Sequence, residues 1–331
     1  MYKTFFGLTR SPFEISPDPH FLFPTLHHKE ALASIYYGIC RHKGFVVMTG
    51  EVGTGKTLLV RCLLELLNRQ QIAFANVFNA QLSDIDFLRY IAGDLGLKLR
   101  NQPKSELLLE LNHFLIQRHR NGQTTVLVVD EAQHLSAAVL EEIRLLTNLE
   151  TSEQKLLQIL LVGQPELEAK LESYELRQLK QRIGLRCHLE PLSLEDTRGY
   201  INRRLRQAGA GDRSDAIFAT PASTVIHRYS TGIPRLINTI CENALITAFA
   251  ARSPEVTPEM VEEVAREFRL GLSKASPATS ALNLPSMASE HQSVVRALVG
   301  LLETLDRATG GRLNGSFPSS QSPEKSSVIP Q

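Results

Sequence analysis

The sequence predicts an α/β protein in which a parallel sheet, covered by helices on both faces, is followed by a helical bundle. Three observations carry this expectation. Apolar runs at Phe45 to Thr49, Ile72 to Phe78, Thr125 to Val129 and Leu156 to Val162 alternate with helical patterns, as they do when crossover helices join parallel strands buried on both sides. After Leu194 the strand-like runs stop, and only apolar residues spaced by three and four remain. Beyond Gly271, Ser, Pro and Ala dominate, and residues 310–331 hold too few large apolar side chains to offset the entropy of ordering.

Taken in chain order, residues 1–29 are punctuated by Pro12, Pro17, Pro19 and Pro24 among Phe5, Phe6, Phe13, Phe21 and Phe23, so regular structure there should be short. A helix is expected from Glu30 to Arg41. The helices between strands are expected at Lys56 to Arg69, Asp84 to Leu95, Ser105 to Arg118 and Ala137 to Leu149, and Ile183 to Leu189 reads as a fifth, weaker strand. Pro191 marks a boundary. The bundle helices are expected at Glu195 to Gln207, Pro221 to Tyr229, Pro234 to Ala250 and Pro258 to Leu270. The division is therefore an N-terminal segment with the first helix of the sheet module (1–44), the sheet core (45–191), the helical unit (192–270) and a mostly disordered tail (271–331). Within the tail, Val294, Val295, Leu298, Leu301, Leu302 and Leu305 fall on one face of a possible amphipathic helix at 290–307, suited to docking on a partner or on the protein itself.

The 331 residues carry 36 basic and 35 acidic side chains, and 43% of them are hydrophobic. That is enough for a substantial core, and it leaves no global field to draw the chain to nucleic acid or to an anionic membrane. Cys40, Cys62, Cys187 and Cys241 are scattered singly, which argues against a zinc site or a disulfide framework and reads as reduced core cysteine. No apolar run approaches the ~20 residues of a spanning helix, and the first residues lack a charged region before an apolar stretch, so a cytoplasmic location without a membrane span is expected.

The chemistry is concentrated in two segments. Gly50-Glu51-Val52-Gly53-Thr54-Gly55-Lys56-Thr57-Leu58 lies between an apolar strand and an apolar-striped helix. Glycines that permit positive φ let backbone N–H groups converge on phosphate oxygens, and the helix N-terminus adds its positive dipole end. Lys56 is placed to reach the β and γ phosphates of ATP, and the Thr57 hydroxyl to bind Mg²⁺. The second segment, Thr125 to Val129 followed by Asp130-Glu131, is a buried strand ending in two carboxylates. Asp130 is expected to contact Mg²⁺ or its waters, and Glu131 to polarise water toward the γ phosphate. His27, His28, His113 and His134 show no metal-ligand spacing.

These segments and the helical bundle resemble the AAA+ ATPases, and residues 1–270 resemble one branch, the ExeA (GspA) type secretion ATPases with the related pilus-biogenesis and exopolysaccharide-locus ATPases. The residues carrying the resemblance are Tyr2 to Gly7, Pro12-Phe13, Ser16-Pro17-Asp18-Pro19, Phe21-Leu22-Phe23, Gly50 to Thr57, Asp130-Glu131-Ala132-Gln133-His134-Leu135, Gly163-Gln164-Pro165-Glu166-Leu167 and Gly232-Ile233-Pro234-Arg235-Leu236. The resemblance implies a P-loop NTPase core of three layers, a helical lid, and ATP and Mg²⁺ as ligands. It makes Gln164 a sensor at the end of the fourth strand, although many relatives carry Asn, Ser or Thr there. It makes Arg235 the second sensor, reaching from the lid. A cation just after Pro234 at a helix start is disfavoured by the helix dipole unless an anion is bound nearby.

The resemblance also places an arginine finger for a neighbouring subunit in Leu179-Lys180-Gln181-Arg182-Ile183, with Arg182 preferred over Arg177 and Arg186. It sets His28 to Leu32 beside adenine, with Phe13, Pro17 and Phe23 either over the nucleobase or in ordinary core. It implies a homo-oligomer serving envelope secretion, pilus or polysaccharide-export machinery. The longest members of the branch add a membrane span and a peptidoglycan-binding domain, and no segment of these 331 residues is expected to supply either. Two other readings share the core: a DNA-associated AAA+ protein, for which Arg198, Arg203, Arg204 and Arg206 would form a basic patch, and a slow nucleotide switch, which the acidic Glu131 disfavours.

Overall fold

The computed structural model describes residues 1–14, 23–78, 82–98 and 102–271. Five strands, β1 (Phe45–Gly50), β2 (Ala73–Val77), β3 (Thr125–Val129), β4 (Leu157–Gly163) and β5 (Leu185–Leu189), form one sheet in the order β2-β3-β4-β1-β5. Every pairing is parallel. The helices are α1 (Tyr2–Phe6), α2 (Leu26–Cys40), α3 (Lys56–Arg69), α4 (Asp84–Asp94), α5 (Lys104–Arg120), α6 (Ala137–Leu146), α7 (Pro165–Leu171), α8 (Arg177–Lys180), α9 (Leu194–Gln207), α10 (Ser214–Ile217), α11 (Thr220–Ser230), α12 (Pro234–Ala250) and α13 (Pro258–Glu267).

Successive strand residues point to opposite faces, and both faces are apolar. Phe45, Val47, Leu127, Val129, Ile159 and Leu161 join the core beneath α4 to α8, while Val46, Met48, Val126, Val128, Leu160 and Val162 join the core beneath α2 and α3. Fully burying each such side chain contributes about 1.5–3 kcal/mol. Burial on both faces is why the strands read as continuous apolar runs rather than alternating ones.

Register then fixes the site. Thr49 of β1 lies opposite Gly163 of β4, and Val129 of β3 lies opposite Leu161 of β4. The three strands therefore end within about two residues of one another, and the loops leaving them meet in the crevice outside their carboxyl ends.

The bundle α9 to α13 has its own core, which Phe6, Leu8 and Phe13 complete from the start of the chain and Leu192 completes from the connector. The Tyr2 hydroxyl donates to Glu242 Oε1 at 2.6 Å, the Thr9 N–H to Ala208 O at 2.7 Å, and Arg204 Nη1 to Pro12 O at 2.8 Å. Residues 2–13 thus pack on the bundle although the sequence joins them to the sheet module.

Several details differ from expectation. Helix α2 starts at Leu26 rather than Glu30 because the Thr25 hydroxyl accepts the His28 N–H and caps it. Helices α7, α8 and α10 have no counterpart in the sequence pattern, since each is too short to show a periodic stripe. Cys40 is exposed and only Cys241 is fully buried, so the cysteines are not all core residues; all four thiols are free. The possible helix at 290–307 lies outside the described residues. Among the described residues, no helix is long and apolar enough to cross a membrane.

Candidate active site

The loop from Gly50 to Gly55 links β1 to α3, and its shape requires glycine at Gly53 and Gly55, with φ of 85° and 102°. Lys56, 6% exposed, folds back so that Nζ donates to Gly50 O at 2.7 Å and to Glu51 O at 2.9 Å. Burial lowers its pKa, while the charges of Glu131, Asp130 and Glu51 oppose that shift. The Thr54 hydroxyl closes the loop on Glu51 O at 2.8 Å. A cation held only by main-chain oxygens at the head of a glycine cradle fits an anionic ligand, because phosphate oxygens replace those carbonyls with stronger, charge-assisted partners.

Thr57, in the first turn of α3, donates to Asp130 Oδ2 at 2.9 Å, and the Glu131 N–H donates to Asp130 Oδ1 at 2.9 Å. Asp130 is 4% exposed, and burial pushes its carboxyl pKa up against these two hydrogen bonds, with the charge of Glu131 adding to the rise. One hydroxyl and one buried carboxylate beside a phosphate cradle are donors suited to Mg²⁺, which keeps several waters and takes phosphate oxygens as further ligands.

Glu131 sits at φ 53°. Its Oε2 accepts from Gln133 Nε2 at 2.6 Å and from Gln164 Nε2 at 3.2 Å. Burial pushes the Glu131 pKa up, but the two amide donors, Lys56 and His134 outweigh it and hold the carboxyl below its ordinary value. Gln164 follows β4 directly at the N-cap position of α7, where its side chain makes no capping hydrogen bond, and its N–H donates to Gln133 Oε1 at 3.1 Å.

The bundle touches the same loop. The Arg235 N–H, in the first turn of α12, donates to Gly53 O at 3.3 Å, and a Cβ on Gly53 would lie 2.7 Å from Arg235 Cβ. The approach is made by Thr231 and Gly232, with φ of 49° and 78°, and the Leu192 N–H anchors that turn to the connector by donating to Gly232 O at 2.8 Å.

The AAA domain family matches residues 39–171. The general secretion pathway protein A of Aeromonas hydrophila is 47% identical over 258 residues, which are 77% of this chain and 46% of the relative. The chain belongs to the AAA+ family, on its ExeA/GspA-like branch. It spans about half the length of that curated relative. Solved AAA+ structures share the fold: the Drosophila ORC bound to DNA (20% identity, TM-score 0.62, 95% of this chain and 80% of that one) and the Aeropyrum pernix ORC2 protein in its ADPNP-ADP complexes (17%, TM-score 0.56, 78% and 71%).

In this AAA+ chain Lys56, Thr57, Asp130, Glu131 and Gln164 come together with the first turn of the lid helix, where the side chain of Arg235 is exposed and its charge adds to the lowering of the Lys56 pKa. Arg182 is not brought to the loop. Its Nη1 donates to Thr147 Oγ1 at 2.6 Å, beside the end of α6. Of its competitors, Arg177 stacks over Tyr174 at 4.1 Å and Arg186 pairs with Glu172 at 3.7 Å. Val52 is exposed in the loop, and Leu58 is half-buried in the first turn of α3.

His28 is buried against the loop. Its Nε2 lies 3.4 Å from Thr54 O and its Nδ1 2.6 Å from Thr25 Oγ1, and burial lowers its pKa. Phe13 is 1% exposed inside the lid core, edge-on to Phe218, and Phe23 packs against Tyr200. Pro17 lies outside the described residues. Of the four arginines expected in a basic patch on α9, Arg204 is 6% exposed and holds Pro12 O, Arg206 pairs with Asp215 at the surface, Arg198 donates to Thr224, and Arg203 is exposed. Gln133 is the site residue that sequence reasoning missed. It stands inside the Asp130 to Leu135 motif, but a lone amide in a loop carries no periodic signal.

Proposed function

We propose that the chain binds ATP with Mg²⁺ at this site and hydrolyses it to ADP and phosphate. The observation that carries the reading is the convergence of Lys56, the Thr57–Asp130 pair and the amide-held Glu131 on one glycine loop. Lys56 exchanges its bonds to Gly50 and Glu51 carbonyls for bonds to the phosphates. Thr57 and Asp130 would hold Mg²⁺, which would supply charge neutralisation on the phosphates. Glu131 takes the proton of the attacking water, since a carboxylate kept ionised can accept it. Gln164 orients that water or the γ phosphate through its amide. Arg235 reports the phosphate to the lid.

The subunits form a homo-oligomer in which Arg182 completes a neighbour's site as an arginine finger. An arginine supplied in this way is typically worth about 10³–10⁵ in rate. Hydrolysis drives assembly or remodelling of an envelope secretion, pilus or polysaccharide-export system from the cytoplasmic side. Support for that context is the likeness to general secretion pathway protein A across 77% of the chain. The test is Mg²⁺-dependent phosphate release per subunit against protein concentration, for wild type and Arg182→Ala. The reading expects a rate that rises with concentration and collapses in the variant. A flat wild-type rate with full activity in Arg182→Ala would overturn the oligomeric part.

A further inference from the structure

We propose that Gln133 is a positioning residue that fixes the Glu131 carboxylate relative to the end of β4. The proposal rests on the reading of Glu131 as the base. Both ends of the Gln133 amide are engaged: Oε1 accepts the Gln164 N–H at 3.1 Å, and Nε2 donates to Glu131 Oε2 at 2.6 Å. These partners determine the orientation of the amide. Flipped, it would set its NH₂ against the Gln164 N–H and its oxygen against a carboxylate, and lose both bonds.

The surroundings are built for this side chain. A Cβ on Gly163 would lie 3.0 Å from Gln133 Oε1 and 2.7 Å from Leu167 Cδ2, so the strand end is kept bare where the amide crosses it. Lys170 of α7 donates to the main-chain oxygens of Gln133 and Leu135, which pins the turn Ala132–His134. Glu131 itself has several side-chain torsions, and its other amide contact, to Gln164 Nε2 at 3.2 Å, is longer. Gln133 therefore defines where the carboxylate stands, and it joins that position to the backbone of Gln164, so any shift of the β4 end is passed to Glu131.

The test is a kinetic set: wild type, Gln133→Leu, Gln133→Glu, Glu131→Gln, and Gln133→Leu combined with Glu131→Gln. Each is assayed for kcat and KM with Mg-ATP and for affinity with fluorescent mant-ADP. Gln133→Leu is expected to lower kcat at least about tenfold while KM and mant-ADP affinity stay within about twofold, because misplacing a reacting group acts on the chemical step. Gln133→Glu retains the acceptor for Gln164 but loses the donor and adds repulsion, so kcat falls at least as far. In the Glu131→Gln background the Leu substitution changes the residual rate by less than about twofold, since its effect runs through Glu131. Should Gln133→Leu not fold, Gln133→Asn, one methylene too short to span both partners, is expected to show the same loss of kcat. A wild-type kcat in the folded Gln133 variants beside an inactive Glu131→Gln would overturn the proposal, as would an equal loss in both backgrounds. A fully active Glu131→Gln is a different failure, one that removes the base and the positioning role together.

Discussion

The sheet is closed by its own neighbours in sequence, with all five strands lying between Phe45 and Leu189, whereas the helical bundle closes its core with Phe6, Leu8 and Phe13 from the far end of the chain. The difference has a functional consequence. Asp130, Glu131 and Gln164 stand at the ends of laddered strands and Lys56 at the head of α3, and rigid elements of that kind hold a constellation in place. Arg235 instead depends on the bundle, on a turn with two successive positive φ values, and on one main-chain hydrogen bond to Gly53. One half of the site is set by the sheet, and the other half by how the bundle sits on it.

The two regions should separate most strongly when Phe13 is cut back. Phe13→Ala leaves a cavity in the bundle core and is expected to cost about 3–5 kcal/mol there. Thermal unfolding should then split, with the bundle melting first and the sheet near its original temperature. A single transition shifted as a whole would mean that the two units share one cooperative core.

Gly53→Ala acts on the glycine loop and on its junction with the lid. It puts a side chain at φ 85° with its Cβ 2.7 Å from Arg235 Cβ. A cost of about 1–3 kcal/mol is expected from the backbone strain. The contact between loop and lid should open, which hydrogen exchange at the Arg235 amide would report as lost protection. Unchanged protection would show that this contact does not hold the lid.

The same two regions are unequally legible in the sequence. The strand Thr125–Val129 and the helix Lys56–Arg69 are predicted at their observed bounds because their apolar patterns are local. The phosphate loop is legible for the same reason, since strand, glycines, lysine and helix succeed one another along the chain. Arg204 is not, because it reads as one of several exposed helix arginines until Pro12, 192 positions away, supplies its carbonyl. Gln133 is hidden by a similar separation, with its acceptor role meeting the Gln164 N–H 31 positions on. The cap that starts α2 is readable in principle from Thr25 ahead of an apolar pattern.

The smallest expected effect is on pH dependence. Buried His28 has its pKa lowered from 6.5. Above that value both folded and unfolded chains carry it neutral. As pH falls below it the unfolded chain binds a proton that the folded chain refuses, so stability drops, and one such proton sets a limit of about 1.4 kcal/mol per pH unit. His28→Gln should flatten the fall in denaturant midpoint between neutral and mildly acid pH. His227, whose pKa is also lowered by burial and by Arg198, would leave a residue of the slope. An unchanged slope would remove His28 as its source.

The assignment of Glu131 to the chemical step is tested most directly by single-turnover hydrolysis of Mg-ATP by wild type and Glu131→Gln, with mant-ADP affinity measured on both. A loss of about 10²–10⁴ in the hydrolysis rate with unchanged affinity is the predicted result, the range expected for removal of a general base. Hydrolysis at the wild-type rate in a variant that binds nucleotide equally well would contradict it.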